Sequence, residues 1–252
     1  MILLSTSSLS GYGLHRIFQF AKKAGFDGID LSLNYDDFDI WDEKYIKSLS
    51  DNIGIKVLSI TAPNRGLYED SVNKIMLLSS FLGVQVVNFS PPYIKDLNVS
   101  WFSKKLIKIK KESKISICVK NVEPEFLLLI IPKYRNSSLL DIKKITGDTA
   151  IDLSFLDGSS GVDIIKAQKV LGNTIKNVYL SDKDGTLPGN AGGGISNLPI
   201  ESFLMRLKTT GYNGFLSLKV NPIELGVGNE ELIFQNISNI MDYYKRYYLD
   251  YK

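Results

Sequence analysis

Eight short β-forming runs recur along the chain, each followed by a segment with helical periodicity, and that alternation permits few folds. The runs fall at residues 2–6, 28–33, 56–61, 84–90, 115–120, 150–154, 177–180 and 215–220. Strand and helix in alternation build a parallel sheet, because a parallel connection must cross back over the sheet and a helix is its usual crossover. The helical segments agree with this. Leu14, Ile17, Phe18 and Ala21 lie at i, i+3, i+4 and i+7 ahead of Gly25, a natural left-handed cap, and Ile233, Ile237, Ile240 and Tyr244 form a similar apolar stripe near the end. An open doubly wound sheet would share the alternation, but no G-x-G-x-x-G turn follows the first run. The expected fold class is therefore α/β: one (β/α)8 TIM barrel over residues 1–252, with function on the rim where the strands end.

Composition removes several function classes. Of the 252 residues, 44% are hydrophobic and 23% charged, which excludes a disordered chain or a disulfide scaffold. Thirty basic residues against 27 acidic ones leave a net charge of +3, scattered apart from a solvated helix face at 104–114, so no nucleic-acid footprint is expected. The first residues, Met1-Ile2-Leu3-Leu4-Ser5, are apolar for too short a stretch to act as a signal or anchor, and the apolar run 126–131 is too short to span a bilayer. The single cysteine, Cys118, allows no internal disulfide and suits a reducing compartment. These readings point to the cytoplasm, away from membranes. The aromatic tail Tyr243-Tyr244-Lys245-Arg246-Tyr247-Tyr248 either packs across the barrel floor or supplies a homodimer contact.

Side-chain alternation assigns residues to the lumen. In Phe215-Leu216-Ser217-Leu218-Lys219 the leucines belong to the helix layer, which turns Lys219 inward at the strand end. The same parity turns in Lys120, beyond Ile117 and Val119, together with Asp152 and Tyr179. Glu123, Asp182 and Asp184 follow in the loops just past these strands. Charges in such a place must be paired, solvated or neutralised, so they answer either to one another or to a ligand. One arrangement is an internal network in which Lys120 and Lys219 pair with Asp152 and Asp182.

Several stretches together resemble the xylose-isomerase-like barrels, which include sugar and sugar-phosphate isomerases and epimerases and the apurinic endonucleases of family 2. The resemblance rests on Ala24-Gly25-Phe26-Asp27-Gly28-Ile29-Asp30-Leu31, on Ile55 to Pro63, on Leu82-Gly83-Val84-Gln85-Val86-Val87 and on Lys120-Asn121-Val122-Glu123-Pro124. It continues through Asn177-Val178-Tyr179-Leu180-Ser181-Asp182, a Gly-rich loop with Gly192 and Gly194, and Thr210-Gly211-Tyr212-Asn213-Gly214-Phe215. The resemblance implies a divalent cation held by Glu, Asp, His and Glu at the ends of the fifth to eighth strands. At those positions this chain has Lys120, Asp152, Tyr179 and Lys219. Thr61 and Ser90 stand where the third and fourth strands would carry histidines, and Phe155 stands where another would follow the aspartate. The one histidine, His15, lies off the apolar stripe of the first helix and is expected on the surface.

One carboxylate between two ammonium groups should repel a dication, so no catalytic metal and no cofactor are expected. Three readings remain. The first is a metal-independent isomerase, epimerase or lyase, with Lys120 and Lys219 as electrophile, anion clamp or Schiff-base amine. In it Asp152, Glu123 or Asp182 would serve as base and Tyr179 as proton donor. The second is a barrel without catalysis that binds a small polar or anionic, sugar-like ligand at Glu123, Asp182, Asp184, Thr61, Ser90, Gly192 and Gly194. The third is a partner-binding barrel. The loop 182–194 would be a lid or an anion-binding nest over the pocket.

Overall fold

The protein is described by a computed structural model covering residues 1–96, 100–156, 163–189 and 198–251. Eight parallel strands close into a barrel: β1 (Ile2–Ser5), β2 (Gly28–Ser32), β3 (Val57–Thr61), β4 (Val86–Phe89), β5 (Ser116–Lys120), β8 (Asp148–Asp152), β9 (Ile175–Leu180) and β10 (Phe215–Leu218). β10 pairs with β1 and completes the ring. Around it run α1 (Leu14–Ala24), α2 (Glu43–Ile53), α3 (Glu69–Leu82), α4 (Ser100–Glu112), α5 (Leu139–Thr146), α6 (Ile164–Leu171), α7 (Ile200–Thr209), the short α8 (Pro222–Leu225) and α9 (Glu230–Tyr244). This is the expected (β/α)8 fold.

Local chemistry explains how each unit returns to the sheet. Gly25, Gly54, Gly83 and Gly147 end α1, α2, α3 and α5 in the left-handed conformation, where a side chain would be strained, and the next strand begins within a few residues. Gly28 is required for another reason: a Cβ there would meet Leu58 Cδ1 at 2.7 Å and the Lys56 carbonyl oxygen at 2.9 Å. The main core lies between strands and helices. A smaller apolar plug of Leu3, Leu58, Val86, Cys118, Ala150 and Phe215, with the Tyr179 ring, fills the barrel floor. Above it the lumen turns polar.

All eight barrel strands agree with the sequence at both ends to within two residues. The sixth barrel strand is displaced: it starts at Asp148, directly after the Gly147 cap, and stops at Asp152, because Leu153–Phe155 coil into a 3-10 turn. Val220 likewise lies beyond β10, although the Lys219 amide still donates to the Leu180 carbonyl at 3.1 Å.

The apolar run after β5 folds into a hairpin of β6 (Phe126–Leu127) and β7 (Ile131–Pro132), with Leu128, Leu129 and Ile130 exposed at its tip. The aromatic tail makes contacts within the chain, beside the loop that enters β10. Tyr248 donates to the Tyr212 carbonyl at 2.9 Å, and its ring stacks on Tyr244 at 5.4 Å. His15 is exposed on α1, and among the described residues no helix is long and apolar enough to cross a membrane.

Candidate functional site

Lys120 and Asp152 end their strands, Lys219 follows directly after β10, and the three converge inside the C-terminal rim, where outward-facing Ile117, Val119, Ile151, Leu216 and Leu218 hold each strand in register against the helices. Lys219 Nζ donates to Asp152 Oδ2 at 2.6 Å, and Ser154 Oγ donates to the other carboxylate oxygen at 2.6 Å. The aspartate is fully buried and the Lys219 side chain is 27% exposed. Asn121 fixes the backbone below: its Nδ2 donates to the Asp152 carbonyl at 2.8 Å, and its Oδ1 accepts from the Asp152 amide at 2.7 Å.

Lys120 is different. It is 1% exposed, and its ammonium has no hydrogen bond or ion pair to another described residue. It faces the Phe155 ring at 5.9 Å, and Lys219 faces the same ring at 5.4 Å and the Tyr179 ring at 5.3 Å. Two cations thus share one phenyl ring, a contact each can use when other counter-charge is scarce. Burial, reinforced by the Lys219 charge, lowers the Lys120 ammonium to a pKa of about 8, and attraction to Asp152 and Asp30 only partly opposes this. Burial would raise the Asp152 carboxyl, but Lys219 and Lys120 outweigh it and hold the group below its ordinary value.

A second carboxylate, Asp30, was legible from the sequence yet assigned no role. Ile29 and Leu31 face the helix layer in Gly28-Ile29-Asp30-Leu31, so parity turns Asp30 into the lumen. It is fully buried there, accepting from Ser5 Oγ at 2.9 Å and from Thr61 Oγ1 at 3.0 and 3.1 Å. Burial raises its carboxyl against the pull of these hydroxyls and of Lys219. Thr61 also bonds the Tyr179 hydroxyl, which burial and then Asp30 push well above the ordinary tyrosine value. Tyr179 and Thr61 therefore belong to a layer beneath the rim.

The remaining predicted residues divide. Glu123 and Asp184 are exposed and, with Ser7, Phe155, Lys219 and Asn221, line a cleft of about 370 Å³ above the Asp152–Lys219 pair. Asp182 is buried, and its carboxylate accepts from the Lys183 amide at 2.7 Å, while the rim lysine Lys219 pairs with Asp152. Ser90 bonds the Asn64 side chain at 2.6 Å, away from the cleft lining. Gly192 and Gly194 lie outside the described residues. Asn121, Ser154 and the shared Phe155 ring carry no periodic signal that would have assigned their contacts.

Donor chemistry decides what the rim can hold. Asp152 spends one oxygen on Lys219 and the other on Ser154, and among the described residues no three His, Cys, Asp or Glu side chains gather closely enough for a metal ion. The groups at the implied ligand positions thus do not fit a dication, which requires convergent oxygen or imidazole donors.

No protein-family model matches the chain, and no curated protein does. Solved structures do. An AP endonuclease of family 2 from Brucella melitensis superposes with a TM-score of 0.68 at 15% identity, over 89% of this chain and 96% of that one. A D-tagatose 3-epimerase-like protein gives 0.63 at 18% identity over 96% and 98%. A xylose isomerase domain protein from Alicyclobacillus acidocaldarius subsp. acidocaldarius gives 0.63 at 15% over 97% and 100%. These likenesses show the fold, a (β/α)8 barrel that this chain shares with all three.

Proposed function

We propose that the barrel binds a small, anionic, sugar-like ligand in the rim cleft and acts on it as an isomerase or epimerase without a metal ion. One observation carries this reading: two ammonium groups and the Asp152 carboxylate meet at the strand ends, so the inner cluster is cationic, while the carboxylates of Glu123 and Asp184 stand on the outer lining of the open cleft above it. In aldose–ketose or epimer interconversion a proton leaves the carbon beside a carbonyl, and negative charge builds on oxygen. Fixed cations in a water-poor pocket stabilise that charge.

Lys219, the partly exposed ammonium, is the group placed to meet the substrate oxygen or its anionic substituent. Lys120 lies beneath and strengthens the field without needing direct contact. Asp152 holds Lys219 in place and is a positioning residue. Glu123, on the cleft lining, is the candidate base. Tyr179 is too deep for the proton-donor role and instead supports the floor. A second reading, ligand binding without turnover, is favoured by the closed Lys219–Asp152 pair.

Isothermal titration with a panel of sugar phosphates and sugar acids tests binding, and proton NMR in deuterium oxide tests turnover. The expected result is a ligand whose affinity falls at least tenfold in Lys219→Glu, with solvent deuterium entering the carbon beside its carbonyl. Binding without exchange would select the second reading. Affinity unchanged in Lys219→Glu would overturn both.

A further inference from the structure

We infer that the opposite, N-terminal face of the barrel carries a second site, for the phosphate monoester group of a small metabolite. A cavity of about 480 Å³ opens where the chain leaves α6 and α7 to enter β9 and β10. Lys169, Lys176 and Arg206 line it, and none of its lining residues is acidic. A neighbouring cavity on the same face shares Lys176 and Asn213 and adds Lys114, again without an acid.

These cations lack counter-ions that comparable residues find elsewhere. Lys105 pairs with Glu69, Lys110 with Asp148 and Lys133 with Glu125, whereas Lys169, Lys176 and Arg206 have no ion pair among the described residues. Asp148, at the start of neighbouring β8, is already taken by Lys110 at 2.8 Å. Helix ends account for part of the charge. The C-termini of α6 and α7 point to this face, and each presents roughly half a negative charge. Three full cations against two such ends leave an excess of about two, which a phosphate dianion would balance.

The wall also suits an organic body beyond the phosphate. Asn173 and Asn213 supply amides, and Gln168, 6% exposed, has a side-chain oxygen without a hydrogen-bond partner. A buried acceptor left in that state costs stability unless a donor reaches it, and a ligand hydroxyl is such a donor once the amide reorients. The position, across the barrel from the rim cleft, makes it a site separate from the one proposed above.

The test is a nitrogen-15 NMR titration of the full chain with inorganic phosphate, ribose 5-phosphate and adenosine monophosphate. Expected are saturable shifts of the Gly172, Gly211 and Asn213 amides, retained in Lys219→Glu. Affinity should fall at least tenfold in Lys176→Ala/Arg206→Ala, or in Lys169→Gln/Lys176→Gln should the first pair not fold. Tighter binding of the two organic phosphates than of inorganic phosphate would show that the cavity reads the ligand body. No shifts at these amides, shifts confined to the rim, or affinity unchanged in the variants would overturn the assignment.

Discussion

Lys120→Met is expected to make the protein more stable at pH 7, by about 1–3 kcal/mol, while weakening whatever anion the rim binds. The lysine is buried without an acceptor of its own, and its proton affinity has fallen from the ordinary 10.5 to about 8. Each pH unit of such a shift corresponds to about 1.4 kcal/mol, so the charged form carries a penalty of roughly 3 kcal/mol, part of which an apolar chain of similar length avoids. The sign with pH follows. Between about 8 and 10.5 the unfolded chain holds the proton that the folded chain has released, so wild-type stability gains from this residue as pH rises through that window. Below about 8 the penalty is fully present. The difference between wild type and Lys120→Met should therefore shrink from pH 8 to 10.5, as read by urea denaturation. A variant less stable than wild type at pH 7 would mean that Lys120 has a partner strong enough to offset its burial.

Asp152→Asn should have the larger effect, a loss of about 3–5 kcal/mol at pH 7. The substitution keeps shape and volume but leaves two ammonium groups facing one phenyl ring with no carboxylate between them. Their repulsion then acts in a buried place. Because the folded Asp152 carboxyl is held below its ordinary value, its contribution is present above the unfolded pKa near 3.9 and is lost as pH falls through the folded one. The two stability curves should converge at strongly acid pH. Adding Lys120→Met to Asp152→Asn should recover at least about half of the loss, since neighbours in one charge network do not contribute additively. A loss under about 1 kcal/mol in the single variant would show that Asp30 or solvent neutralises the lysines.

The pattern of residues made the barrel and half of its site legible. Period-two alternation placed Lys120, Asp152, Tyr179 and Lys219 in the lumen because their strand neighbours are aliphatic and the helix layer claims them. The same rule applied to Ile29-Asp30-Leu31 would have found the second buried carboxylate. Alternation says which way a side chain faces but not how deep it lies, and depth separates Lys219, open to the cleft, from Tyr179, bonded to Thr61 below it. Nor does it foresee contacts made by turns: Ser154 and Phe155 reach Asp152 and the lysines only because Leu153–Phe155 coil after β8. The cationic cavity on the far face is harder still to see. Lys169, Lys176 and Arg206 are ordinary helix-end and strand-start residues in the sequence, and only closure of the barrel brings them around one space.

Anomalous scattering from crystals soaked in manganese bears most directly on the charge at the barrel mouth. The cluster described here predicts no manganese beside Asp152, with Lys219 Nζ still donating to its Oδ2. An ordered manganese ion within coordination distance of Asp152, and the Lys219 side chain swung away to admit it, would contradict the account.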